Sequence, residues 1–504
     1  MRHPWRWQIL AVLCLSLFLV TLDNTVLNVA VPSLIEDLSL STSQIQWVVD
    51  AYSLVFAGLL LTAGSVSDRF GRRRGLLGGL VVFGLGSLAA AFAGSALSLV
   101  IARGLMGVGG AFLMPATLAI LVHVFDAQER PRAIAVWGGV SALGVSAGPV
   151  LGGLLVDHFW WGSVFLVNVP VVVVALSAAV AIVPESRRSD SPRPDLVGAL
   201  LASVTILALV RSMIEVPERG WLSTTVVGGL LVSAAFGVLY VIWEERCEHP
   251  MVQISLLRSR QFLGASSVGV LLMFSLAGAT FVLTQFLQLT LGYSPLGAGV
   301  RTLPVAVAIA IASPLSPAFA ARVGNNRAVA VGLAVLAVGL ATLGLGASRE
   351  QYLPVAVGIV LLGVGLGLAM APASAALMSC FPRDHAGIGS AMNDTMQELG
   401  AALGVAVLGG VAASAYRSGL PASVPDGASS SYGEAMRIAH EQGPAGVGLA
   451  AAARAAFDLA VEHSLVVGSL TALLGAVMGL LILRRHVASV DDIGGVVATE
   501  SPLG

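Results

Sequence analysis

Fourteen apolar stretches, each about twenty residues long, set the terms on which this chain can fold. A helix needs roughly 20 apolar residues to cross about 30 Å of hydrocarbon. A scan with that window finds runs at 8–32, 45–65, 75–94, 97–121, 134–156, 163–183, 196–214, 223–243, 262–286, 298–320, 328–347, 353–377, 387–413 and 463–483. In hydrocarbon each backbone N–H and C=O must find its partner within the protein, and runs of this length do so as helices. The chain is 56% hydrophobic and only 11% charged, whereas a soluble domain is about a quarter charged. An all-α membrane protein is expected. The opening MRHPWRW lacks a small-residue cleavage site, so the first run reads as a retained span, not a signal peptide.

Arginine placement orients the spans. All 27 basic residues are arginine. With the N-terminus inside, nineteen of them fall in inner segments and five in outer ones. This is the bias expected of cytoplasmic loops, and it places both termini in the cytoplasm. The eight tryptophans (Trp5, Trp7, Trp47, Trp137, Trp160, Trp161, Trp221, Trp243) all stand near predicted span ends, where an aromatic belt belongs. One connection is long, residues 414–462 on the outer side. It opens with LPASVPDGASSSYG and continues into AAAARAAFDLAVEH, which reads as helical. A connector is the simplest reading of it; a lid or a surface amphipathic segment is the other.

The two ends of the chain repeat each other. SDRFGRRR (67–74) aligns with AARVGNNR (320–327), pairing Arg69 with Arg322, Gly71 with Gly324 and Arg74 with Arg327. A constant offset then pairs Gly107 with Gly363, Gly109 with Gly365, Met114 with Met370, Phe125 with Phe381, Gly144 with Gly400 and Gly148 with Gly404. Spans 1–6 therefore match spans 9–14, with spans 7 and 8 inserted between them. The expected organisation is a six-helix bundle over 1–185, two inserted spans over 186–261, a second six-helix bundle over 262–486 and a tail over 487–504. A duplicated six-span half marks rocking secondary transporters, whose site lies between the halves near the midplane.

Ionisable groups inside a bilayer cost about 2.5–3.5 kcal/mol each even on lenient scales, so each needs a reason. Asp23 in span 1 and Arg103 in span 4 lie at similar depth and could pair. That pair either fixes the packing or, by breaking on rearrangement, couples proton uptake to a conformational change. Asp394 and Glu398 share a face of span 13 through their four-residue spacing. Their repeat counterparts are Gly138 and Ala142, so the acidic face is an asymmetric addition that suits a cavity. These four residues are the candidates for proton coupling. Asn24, Asn393, Asp394 and Glu398 are the candidates for substrate binding. Asp50 is shallower and reads as a helix-start or interface residue. In span 5, Gly144, Gly148, Pro149, Gly152 and Gly153 combine close helix approach with a break in the ladder.

The cysteines (Cys14, Cys247, Cys380) lack metal-ligand spacing. Without lysine there can be no phosphate-binding loop of the G-x-x-x-x-G-K-[ST] form. No HExxH and no nucleophile elbow occurs either, so no enzymatic activity is expected. The near-zero net charge of −1 gives no sign of a nucleic-acid partner. No metal, nucleotide or other cofactor is expected.

These motifs together resemble the major facilitator superfamily. GSVSDRFGRRRG (64–75) resembles its signature loop between spans 2 and 3. RGLMGVGGAFLMPATLAIL resembles the span-4 signature, with Arg103 in the arginine position. GVSAGPVLGGLLVDHFWWGSVFLVNVP resembles the span-5 signature of antiporters. LDNTVLNVAVP resembles the span-1 signature of the fourteen-span drug:proton antiporters, the EmrB/QacA type, and the chain looks similar to actinomycete antibiotic-export and self-resistance proteins. The resemblance implies the superfamily fold with two added central spans, and proton-driven efflux of a hydrophobic drug from the plasma membrane by a monomer. Its partners would be the bilayer, the drug and protons. It further implies that Gly64, Asp68, Arg69, Gly71 and Arg72 form a conformational latch in which Asp68 meets the start of a span in the other half. Asp68 has Ala321 as its repeat counterpart, so that latch is one-sided. A proton-coupled importer on the same fold and a non-transporting membrane sensor are the alternatives.

Overall fold

The computed structural model describes residues 4–126, 128–187, 195–247, 258–347, 352–381, 386–421, 424–425 and 427–483. The 487–504 tail lies outside them, as do Arg2, Arg188, Arg193, Arg349, Arg383, Arg484 and Arg485 among the arginines used for topology. The described chain is helical throughout. In order the helices are α1 (Arg6–Leu38), α2 (Thr42–Phe70), α3 (Arg72–Ala91), α4 (Ala96–Val124), α5 (Arg130–His158) and α6 (Asn168–Ile182, led in by the turn Ser163–Leu166). Then follow α7 (Leu196–Arg219), α8 (Thr224–Arg246), α9 (Arg260–Gln285, ending in a π turn over Phe286–Thr290), α10 (Pro295–Val323), α11 (Asn325–Ala347), α12 (Tyr352–Met378) and α13 (Ala386–Gly419). A short α14 (Tyr432–Glu441) precedes α15 (Val447–Ile482). Thirteen of the described helices are long and apolar enough to span a membrane, or fourteen when α2, bent by 53° after Leu60, is taken as one span. The end of the molecule that carries the N-terminus is called the inner end below.

The sequence repeat reappears as packing. In the first half α1 packs on α5, α2 on α4 and α3 on α4; in the second α9 packs on α13, α10 on α12 and α11 on α12. The paired glycines occupy the same contacts. A Cβ at Gly107 would meet the Tyr52 carbonyl at 2.6 Å, and one at Gly363 the Val305 carbonyl at 2.4 Å. A Cβ at Gly109 would meet Phe83 N, and one at Gly365 Leu336 N, both at 2.6 Å. Where helix backbones touch, no larger residue fits. Gly71 and Gly324 both turn the chain between spans with positive φ, 128° and 91°, a conformation that side chains disfavour.

The outer connection departs from expectation. α13 continues to Gly419, and AAAARAAFDLAVEH belongs to α15, which starts sixteen residues before the predicted span. Arg454, Asp458 and Glu462 lower the hydropathy there, but an alanine-rich segment is an excellent helix former. Its polar groups also have work: Asp458 accepts a hydrogen bond from Thr290 Oγ1 at 2.9 Å. What remains of the connection folds over the outer end. Ser431 caps α14 by accepting from Glu434 N. Tyr432 turns inward, its ring 4.9 Å from that of Phe457 and its hydroxyl donating to the Leu289 carbonyl at 3.3 Å. Thr42 of α2 donates to the Ser430 carbonyl at 3.3 Å, so this segment touches both halves.

Candidate functional site

A buried ion pair anchors the first half. Arg103 Nη1 donates to Asp23 Oδ2, with Asp23 wholly buried and Arg103 2% exposed. Removing two ions from water is so costly that the remaining valences must also be met, and here they are. Arg103 Nε donates to the Val48 carbonyl at 3.2 Å. Asn168 of α6 donates to Asp23 Oδ1 and to Ser87 Oγ, each at 3.4 Å. The Tyr52 ring lies 4.7 Å beneath the guanidinium, a cation–π contact strengthened by burial. Gly107 and Gly110 of α4 leave the space in which α2 brings Tyr52 there. The pair expected from matched depth is thus formed, and α1, α2, α4 and α6 all contribute to it.

Asp50 corrects the sequence reading. It is not a shallow helix-start residue: Ser41, not Asp50, caps α2, and Asp50 is 1% exposed within the field of Arg103. Its Oδ2 is buried with no hydrogen-bond partner among the described residues. The predicted start of span 2 at residue 45, three residues late, made Asp50 look nearer the surface than it is.

The second half adds its acids from α13. Glu398 crosses toward the first half, where the side chains of Ser53 and Asn24 reach its carboxyl, and both Asp394 and Arg103 act on it electrostatically. Asp394 lies one turn toward the inner end and accepts from Asn393 Nδ2 at 3.3 Å. Of the expected substrate-binding residues, Asn24 therefore meets Glu398. Asn393 instead lines a small cavity between α9, α12 and α13, with Ser266, Ser374 and Gln397. Ser53 and Tyr52 were not singled out from the sequence; their four-residue neighbourhood with Asp50 on α2 was the available signal.

The span-5 residues sort onto two partners. A Cβ at Gly144 or Gly148 would fall 2.0 or 1.9 Å from Thr21 Oγ1 or Thr25 Oγ1, and one at Gly152 2.7 Å from the Val26 carbonyl. This stripe seats α5 on α1. Gly153 faces Leu296, and the Pro149 carbonyl faces Gly299, so these two seat α5 on α10 in the other half. Gly148→Leu is expected to destabilise the protein by about 1–3 kcal/mol, the usual cost of overpacking. Thermal unfolding of the purified protein checks this against Gly138→Leu, where nothing lies within 4 Å and little change is expected.

The halves meet at the outer end. Gln46 of α2 donates to the Val405 and Ala406 carbonyls at 3.3 and 3.2 Å. Gln288 donates to the Val29 carbonyl at 2.9 Å. Asp157 accepts from Ser294 Oγ and Leu296 N at 3.0 and 3.2 Å. At the inner end the signature loop is tied into its own half. Asp68 Oδ1 pairs with Arg72 Nε at 2.6 Å, Arg72 N donates to the Ser186 carbonyl, and Glu185 accepts from Arg73 N at 3.2 Å. Among the described residues, the ion pair of Asp68 is with Arg72 of its own half and not with a span of the other half. Gly64 packs against Pro115 of α4, and a Cβ at Gly71 would meet the Glu185 carboxylate at 2.7 Å.

Two repeated bundles, clasped at one end around a buried polar seam, define a membrane transporter of the alternating-access class. The sequence model of the Major Facilitator Superfamily matches residues 13–405, and the chain belongs to that family. It is 37% identical over 494 residues to the multidrug efflux pump LfrA of Mycolicibacterium smegmatis, covering 96% of this chain and 98% of that one. It is 34% identical over 474 residues to the methyl viologen resistance protein SmvA of Salmonella typhimurium, covering 92% and 95%. With the tetracenomycin C resistance and export protein of Streptomyces glaucescens it shares 32% over 416 residues, covering 81% and 76%. Among solved structures, a bacterial homologue of the human lysosomal transporter Spinster, inward-facing and unoccupied, superposes with a TM-score of 0.69 at 17% identity, over 96% of this chain and 99% of that one.

Proposed function

We propose that this chain is a proton-coupled exporter of hydrophobic, cationic drugs or antibiotics, resident in the cell membrane with its termini in the cytoplasm and acting as a monomer. The observation that carries the reading is the polar seam. Asp23, Asp50 and Glu398 lie in the field of the Arg103 guanidinium, and Asp394 adds a further carboxyl one turn from Glu398. Several uncompensated negative charges cannot persist away from water, so the seam balances itself by taking up protons or a cation. Exchange of the one for the other is antiport. The named relatives support the outward direction, and they speak against an importer or a sensor.

In this reading the two six-helix bundles rock about the seam. The clasped outer end makes this conformation the one that loads substrate from the cytoplasm. The signature loop then serves the opposite conformation, when the inner ends close and Asp68 exchanges Arg72 for the start of a helix in the second half, whose N-terminal dipole favours an acid. Asp68→Asn is expected to lower turnover by roughly tenfold, the equivalent of about 1.4 kcal/mol, with drug binding nearly unchanged. Efflux rates in cells, together with dye binding to purified protein, check this; lost binding would contradict the latch. Resistance of an efflux-deficient host expressing the wild-type chain, measured over a panel of cationic and neutral drugs, tests the export reading itself.

A further inference from the structure

Arg103, Arg211 and Arg301 stand within apolar runs, and each is placed differently. Arg103 has Asp23. Arg301 lies in the second turn of α10, whose N-terminus is at the outer end, and helical side chains lean toward the N-terminus of their helix. Its guanidinium accordingly turns outward. Nη1 donates to the Gly297 carbonyl at 3.1 Å, and the group lies 3.6 Å from the centre of the Tyr293 ring and 5.5 Å from that of Tyr352. Arg211 has neither arrangement. It is exposed on α7, and among the described residues no carboxylate, carbonyl or ring meets it.

The faces of α7 are sorted by what they touch. Val210 and Ile214 pack with Leu54 of α2 and with Ala402 and Ala406 of α13, so α7 lies along the seam between those two helices. Neither inserted helix packs closely on the other seam, between α5 and α10. Ser212 of α7 faces Gly229 of α8. Between these two faces runs a flank on which Leu200 and Leu207 are 63% and 45% exposed, and Arg211 stands one turn beyond Leu207. This flank faces lipid. Arg211 precedes Arg219, the outer end of α7, by about 12 Å at 1.5 Å per residue, which puts it in the outer leaflet. α7 runs outward, so the Arg211 side chain leans inward, away from the outer water. Snorkelling back along the helix recovers only part of that depth. Glu215, one turn outward, is held by Arg219 Nε at 2.5 Å, and the Glu218 side chain is outside the described set. Asp23, Asp50, Asp394 and Glu398 are turned to the central seam. A cation in hydrocarbon is costly and calls for an anion at its own depth.

We propose that Arg211 holds the phosphate of an anionic phospholipid of the outer leaflet, drawn in against α7. The guanidinium is a planar fork of donors that meets phosphate oxygens two at a time. The acyl chains of the same lipid lie along Leu207 and Leu200. A free phosphate ion would have to shed its water to reach this depth, whereas a lipid phosphate is carried there by its chains. A zwitterionic lipid brings its own cation with its phosphate; an anionic one leaves the charge of Arg211 to be matched. The site lies on the inserted helix that touches both bundles, and it is independent of what the chain transports.

The test uses the purified full chain in nanodiscs of POPC, or of POPC mixed with the anionic lipid POPG. Native mass spectrometry counts retained lipid, and thermal unfolding reads stability. Wild type is expected to retain POPG over POPC, and Arg211→Leu to weaken that retention about fivefold, the share one guanidinium near a membrane surface usually carries. Wild type should unfold at a higher temperature with POPG than without it. Arg211→Leu should lose that gain while matching wild type in POPC alone, because the leucine there meets only lipid. Arg211→Lys should keep most of the preference for POPG. Equal POPG retention by wild type and Arg211→Leu, or displacement of POPG by inorganic phosphate, would overturn the proposal. So would earlier unfolding of Arg211→Leu in POPC alone, which would assign Arg211 a partner inside the chain, or a shift from dimer to monomer in that variant, which would make the partner a second copy.

Discussion

Asp23→Asn is expected to abolish proton-driven efflux while leaving a folded protein in the membrane. The amide keeps the shape of the carboxyl and can still accept from Arg103, but it can neither carry charge nor exchange a proton. Arg103→Leu is expected to do worse. It leaves Asp23 wholly buried beside only an asparagine amide, and removing one partner of a buried pair typically costs about 3–5 kcal/mol. The two variants therefore separate mechanism from stability. Asp23→Asn should purify with near-normal thermal unfolding and no coupled transport; Arg103→Leu should purify poorly and unfold earlier. Unchanged efflux by Asp23→Asn would remove Asp23 from the coupling machinery and leave the pair a packing device.

Glu398→Gln is expected to reduce transport of cationic drugs by tenfold or more and of neutral drugs far less. Glu398 is the acid of the second half that reaches the first, facing Asn24 and Ser53. A carboxylate about 4 Å from a ligand cation is worth about 4 kcal/mol at an effective dielectric near 20, and a neutral ligand forgoes that attraction whichever side chain is present. Efflux of a matched pair of dyes, one permanently cationic and one neutral, measures the difference. Equal loss for both would assign Glu398 to proton carriage instead of substrate recognition.

Much of this was legible before any coordinates. Spans declare themselves because hydrocarbon forbids alternatives, and the repeat showed because helix crossings demand glycine at matching places, as at Gly107 and Gly363. Asp23 and Arg103 were recognisable as a pair because each is otherwise inexplicable at its depth. What was hidden depends on contact across the chain. Nothing in the sequence around Ser53 or Asn24 says that Glu398 lies opposite. Asp50 was undervalued because span 2 was expected to start three residues late and because Arg103 of α4, in whose field it lies, is distant in sequence. AAAARAAFDLAVEH reads as helical, but its continuity with the last span was missed because Arg454, Asp458 and Glu462 lower the hydropathy below that of a membrane span. The asymmetry of the two seams was invisible, since no local signal in α7 reports that it packs on both α2 and α13.

The central claim is that a proton gradient drives drug outward through this seam. Inside-out membrane vesicles containing the wild-type chain, given an acidic lumen and rhodamine 6G outside, test it most directly. Protons leaving the lumen should drive dye into it, nigericin should discharge the dye, and vesicles carrying Asp23→Asn should accumulate none. Dye uptake indifferent to the imposed gradient, or dye driven out of the acidic lumen, would contradict the account.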